Sequence, residues 1–196
     1  VIVPRPQPDA PTAFQTALEG LRRVSPRGEI LLEEGPAPQR LAPHAVTLTA
    51  DVVVNDEELG TGRFVVLHEP EGHETWDGTF RIVTFARAGV DADVAADPLA
   101  HQAGWSWLQE ALDAHDCRPA MLGGTVTRVA SLSFGELEDR DAEAYLEIRA
   151  SWTPQDTGGR AIAAHFEAWL EALCHAAGLP PLPPGVTPIP HQSRRG

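Results

Sequence analysis

From His44 to Val54, Val46, Leu48, Ala50, Val52 and Val54 alternate with Thr47, Thr49 and Asp51. A period of two is that of a strand with one buried face. Glu29 to Glu34 reads as a shorter strand, and Gly62 to His68 and Thr79 to Arg87 as two more. The loop Glu69 to Gly78 joins the last pair, so this part of the chain predicts an antiparallel meander. Two further strands are expected at Gly124 to Phe134 and Ala144 to Trp152. In the second, Leu146, Ile148, Ala150 and Trp152 face one way, and Tyr145, Glu147, Arg149 and Ser151 the other.

Helical spacing appears in three places. Phe14, Ala17, Leu18 and Leu21 follow a capping-box pattern at Thr12 and Gln15. Leu99 to His115 follows Asp97-Pro98, an N-cap with proline at the first helical position. Trp105 and Trp107 lie two apart there, so one is expected inward and the other beside a groove or an interface. Arg160 to Ala177 carries a stripe of Ile162, His165, Phe166, Trp169 and Leu173, and Gly178 stops it. The expected order is α-β-β-β-β-α-β-β-α, which makes an α+β fold: a mainly antiparallel sheet with helices packed on one face. Residues 12–182 form the single domain, residues 1–11 an extended or disordered segment, and residues 183–196 a proline-rich flexible tail.

Composition narrows the chemistry. The chain has 196 residues, enough for one ordinary core, and 28 acidic against 15 basic residues give a formal charge of -13. That charge repels phosphate backbones and anionic lipid, so neither nucleic acid nor a membrane is an expected partner. All 15 basic residues are arginine. Without lysine this chain can form no Schiff base, no phosphate-loop lysine contact and no Ser-Lys dyad. Cys117 and Cys174 stand far apart, a pattern of reduced thiols and not of a disulfide framework or a zinc site. No apolar run approaches the ~18 residues of a membrane span, and Val1 to Pro11 lacks the regions of a signal peptide. A cytoplasmic location is expected.

The densest group of reactive side chains lies between Leu67 and Arg81, where His68, Glu69, Glu71, His73, Glu74 and Asp77 accompany Trp76. Carboxylates and histidines can hold a divalent ion or act as an acid-base pair. The two histidines are five positions apart with proline and glycine between them, unlike the helical spacing of a zinc motif. No metal and no cofactor is therefore assigned. Arg81, Arg128 and Arg149 lie on predicted strands, where they either converge on an anionic ligand or pair with carboxylates such as Glu147. Ser106, Ser131, Ser133 and Ser151 lack a nucleophile-elbow context, and Gly123-Gly124 introduces a strand, not the helix that a dinucleotide loop needs.

Five separated segments carry a resemblance. They are Leu67 to Arg81, Ala103-Gly-Trp-Ser-Trp-Leu108, Gly123-Gly-Thr-Val-Thr-Arg128, Glu147-Ile-Arg-Ala-Ser-Trp-Thr-Pro154 and Ala177-Gly-Leu-Pro-Pro181. Together they resemble the actinobacterial family catalogued as domain of unknown function 3000, over about Thr12 to Pro184. The resemblance implies an actinobacterial, cytoplasmic protein and assigns no catalytic residue. From the residues themselves, the first reading is a non-enzymatic binding or adaptor domain, with a protein partner or a second copy of the chain held by a patch of tryptophan and arginine. Its candidate residues are His68, His73, Trp76, Arg81, Arg128 and Arg149, and a small anionic ligand is a further candidate partner. The alternative is a small-molecule or metal-dependent enzyme with its site in the His68 to Arg81 segment.

Overall fold

The computed structural model describes residues 4–38, 40–139 and 143–181. The chain runs α1 (Thr12–Arg22), β1 (Ile30–Gly35), β2 (His44–Val54), β3 (Glu57–His73), β4 (Gly78–Gly89), α2 (Ala92–Ala96), α3 (Ala100–Ala114), β5 (Pro119–Ser131), β6 (Glu143–Pro154) and α4 (Gly159–Ala176). The fold is α+β, as the hydrophobic pattern implies, with one addition, the five-residue helix α2. The expected proline-rich tail, residues 183–196, lies outside the described residues.

All six strands pair antiparallel, in the order β1-β2-β3-β4-β6-β5. The first four form the meander. The chain then crosses the helical layer through α3, pairs β5 at the far edge, and returns as β6 between β5 and β4. A 3₁₀ turn, Glu74–Trp76, closes the β3-β4 hairpin, and Asp77 leaves it at a φ of 55°. The αL region is one that aspartate tolerates.

Helix α4 lies across β2, β3, β4 and β6, with α1 on one flank and α3 on the other. Its apolar stripe meets the even-numbered positions of the strands. Phe64 packs against Phe166 and Trp169, and Trp152 against His165. Phe14 of α1 stacks on His68 and Phe80. Close approach depends on bare backbone: a Cβ on Gly62 would sit 2.6 Å from the Trp169 ring, and one on Gly104 2.8 Å from Leu146. Trp105 covers Gly124 in the same way, where a Cβ would lie 2.8 Å from its ring, while Trp107 borders a groove. At the other end of α4, Gly20 and Gly159 bring the backbones of α1 and α4 into contact.

Two local details depart from expectation. No side-chain cap forms at Thr12; the helix begins behind Pro11, and the Gln15 amide donates to the carbonyls of Pro8 and Ala10. That pair of bonds folds the preceding segment back onto the domain. Arg22 donates to the Pro4 carbonyl, Gln7 to the Ala45 carbonyl, and Ala10 is buried in the main core. Helix α3 begins at Ala100, with the Asp97 carboxylate accepting from the Leu99 N–H at 2.8 Å.

Trp169 is 1% exposed and fills the space over Gly62. Replacing it with alanine should cost ~3 to 5 kcal/mol, the range for large aromatic truncations in cores. Urea unfolding of the two proteins measures it. His165 gives a second expectation. Burial pushes its pKa down to about 4, and its Nδ1 accepts a hydrogen bond from the Trp152 indole N–H at 3.2 Å. Between pH 6.5 and about 4 the unfolded chain binds a proton there that the folded chain refuses, so stability is full above 6.5 and falls as the pH drops. The loss should approach ~3 kcal/mol. Urea titrations at pH 7 and pH 4.5 should show it, with a shallower pH slope in His165→Gln.

Candidate functional site

The helices leave one face of the sheet uncovered, and strand alternation decides which side chains stand on it. Odd-numbered positions of β3, β4, β5 and β6 point there. Their register forms rows across the strands: Thr49-Arg63-Phe85-Arg149-Thr125, and beside it Thr47-Val65-Val83-Ser151-Gly123. A third row runs Asp51-Thr61-Arg87-Glu147-Thr127. The face is therefore amphipathic in an unusual sense, with guanidinium groups interleaved with rings and small polar side chains.

The guanidinium groups on this face differ in their surroundings. Arg149 pairs with Glu147 at 2.9 Å and lies 5.2 Å from the centre of the Phe85 ring. Arg87 lies over Tyr145, its guanidinium carbon 3.5 Å from the ring centre, a cation-π contact. Arg63 stands exposed beside Phe85 in the register. Arg81 is half-buried, and burial lowers its pKa because the charged form loses water. It donates to Ser151 Oγ at 2.7 Å, to Thr153 Oγ1 at 3.2 Å and to the Met121 carbonyl at 3.3 Å. None of these acceptors is a carboxylate, and among the described residues Arg81 makes no ion pair.

Trp76 closes this end of the face. Its ring stacks on His73 with centroids 4.5 Å apart, and it packs on the small cluster Ala45, Val65 and Leu67. The Thr153 hydroxyl, which accepts from Arg81, donates to the Trp76 carbonyl, so hairpin and arginine are tied through one side chain. At the opposite end the face runs into a groove of about 880 Å³ bordered by Glu57, Glu58, Asp91, Glu143 and Trp107.

The six side chains singled out by sequence do not meet in one place. His73, Trp76, Arg81 and Arg149 belong to the open side. His68 is an even-numbered β3 position, 3% exposed, against Phe14 and Phe80 under α1. Its Nδ1–H donates to the Thr79 carbonyl at 3.0 Å, its Nε2 is buried without a partner, and desolvation lowers its pKa. Arg128 also points to the helical side, where it donates to the carbonyls of Ala95 and Asp97 that end α2. Arg63, Phe85 and Arg87 join the face unannounced, beside Tyr145, which the β6 alternation already put on the side of Arg149. Alternation alone could have placed them, since each shares parity with a residue already picked out on its strand or its neighbour.

Among the described residues no three histidine, cysteine or carboxylate side chains gather as a metal ion would need. Both thiols stay protonated, burial pushing Cys117 up to about 12 and Cys174 up to about 11. No described helix is long and apolar enough to cross a membrane.

Comparison with known proteins gives one match. A family model described as a protein of unknown function, DUF3000, matches residues 10–187. No curated protein and no solved structure matches the chain.

The contrasting surroundings of two arginines give a direct test. Arg128→Ala should cost ~1.5 to 3 kcal/mol, because a charged donor to the end of α2 is lost. Arg149→Ala should stay within ~0.5 kcal/mol of wild type, since its ion pair is exposed. Thermal or urea unfolding of both variants reads the difference.

Proposed function

The chain belongs to the DUF3000 family, and from its geometry we propose that it is a non-enzymatic binding or adaptor domain whose working surface is the open face of the sheet. The occupant that suits this surface is a protein bearing an acidic segment. One observation carries the reading: in a chain of charge -13, Arg63 and Arg149 flank Phe85 on the side that no described helix covers, and Arg81, tied to Trp76 through Thr153, lies four residues or ~13 Å further along the same face. Aromatic and arginine side chains are enriched where binding energy concentrates, and guanidinium groups favour carboxylate partners. The acidic surroundings also discriminate against partners with long runs of phosphate.

An enzyme built on the His68 to Arg81 segment has less support. His68 faces the core under Phe14 and Arg81 faces the opposite side of the sheet, so the two cannot act on one substrate. His115, at the end of α3, meets the Glu171 carboxylate of α4 at 2.8 Å. That contact ties helix to helix.

The test is capture from a lysate of the source cells with immobilised wild type and with an Arg63→Glu, Arg149→Glu variant, shown by circular dichroism to be folded. Captured proteins are identified by mass spectrometry and then purified for direct titration. We expect at least one protein with an acidic segment, bound at least tenfold more weakly by the variant and weakened by salt. Equal binding to both baits would refute the proposed surface. Recovery of only a second copy of this chain would replace the heterologous partner by a homodimer.

A further inference from the structure

We propose that Arg81 is the anchor of a carboxylate-binding subsite on the open face, built to take a carboxylate of a partner protein. The inference rests on the reading of that face as a binding surface and names the group it would recognise.

The argument starts from the five N–H groups of the guanidinium. Those on the two terminal nitrogens reach Thr153 Oγ1, the Met121 carbonyl and Ser151 Oγ. Among the described residues the Nε–H makes no hydrogen bond, and it is not fully buried, the fully buried side-chain atoms without partners there being Thr47 Oγ1, His68 Nε2 and Trp169 Nε1. The group therefore offers an accessible donor on a plane already fixed by three neutral acceptors. A full positive charge with only neutral partners, partly withdrawn from water, lacks the ion pair that would compensate its desolvation. Side-on docking of a carboxylate supplies both the charge and the acceptors, and the fixed plane means that little rotamer freedom is lost on binding.

The surroundings leave room for such a group. Next to Ser151 in the register is Gly123, where a Cβ would have nothing within 4 Å. The register of β5 slips between Ala120 and Gly123, and Met121 takes a φ of 51°, which turns its carbonyl onto Arg81. Bulges re-aim groups in this way at sheet edges. On the other side the stacked Trp76 and His73 rings form a wall against which the aliphatic part of a ligand can lie. A monoanionic carboxylate suits the site better than phosphate, because the net charge of -13 opposes a dianion more strongly.

The experiment is a side-chain NMR titration of arginine-labelled full-length protein, reading the Nε–H signals. The probes are N-acetyl-leucine for a chain-terminal carboxylate, N-acetyl-aspartate N-methylamide for a side-chain carboxylate, N-acetyl-leucinamide as the neutral control, and inorganic phosphate. We expect the Arg81 Nε–H signal to move and saturate on the order of millimolar with at least one carboxylate, and not with the amide. The signals of Arg63 and Arg149 should move less, and Arg81→Lys, which keeps the charge and loses the fork, should weaken binding at least tenfold. Which carboxylate binds more tightly tells a chain terminus from an acidic side chain. The subsite is refuted if the Arg81 signal moves no more than that of Arg63, or if phosphate binds more tightly than both carboxylates. Saturation by a carboxylate without any captured protein would keep the subsite and sink the adaptor reading. Capture together with a silent Arg81 would do the reverse.

Discussion

Bare backbone beneath the helices is the constraint on which the rest of the molecule depends. Trp169 can lie flat against β3 only because Gly62 has no side chain, and Gly104 and Gly124 do the same for α3. Gly20 and Gly159 let α1 and α4 touch along their backbones. Such contacts draw three helices onto one side of six strands and bury the even-numbered positions together. The opposite side is left to the residues of the other parity. What the chain can present to a partner is therefore decided by which side of the sheet its glycines lie on.

The electrostatics follow the same division. On the helical side burial lowers the pKa of His165 and of His68, and Arg128 donates to main-chain carbonyls. On the open side the arginines meet rings, hydroxyls and the Glu147 carboxylate. Arg149 and Arg87 are each matched by a near neighbour, Glu147 and Tyr145. Arg81 is matched by three neutral oxygens, and the difference sets it apart as the position where an outside carboxylate has most to add.

Much of this was legible along the chain, and the gaps have physical causes. β2 spans His44 to Val54 as its alternation predicts, because Val46, Leu48, Ala50 and Val52 are buried on the side that faces the helical layer. β3 runs well beyond the expected Gly62 to His68, since Glu57 and Glu58 pair with β2 and His73 with Gly78 as backbone, without burying apolar side chains. α2 escapes notice because a five-residue helix is too short to show a period. At the site, His68 and Trp76 belong to one dense cluster in sequence, yet the strand continues through His68 and turns it inward while the hairpin carries Trp76 outward. The row Arg63-Phe85-Arg149 needs β6 to lie beside β4, a pairing between distant segments that no local pattern encodes.

The central place of α4 has a consequence for how the molecule comes into being. The last helix among the described residues is the one that covers β2, β3, β4 and β6 and that α1 leans on. During synthesis the meander can pair before α4 has emerged, but its apolar side then has only the first helix to shelter it. Long-range contacts of this kind form late, and an uncovered sheet is open to aggregation while it waits. Nascent chains halted before Gly159 should therefore be clients of chaperones until α4 emerges to cover the meander.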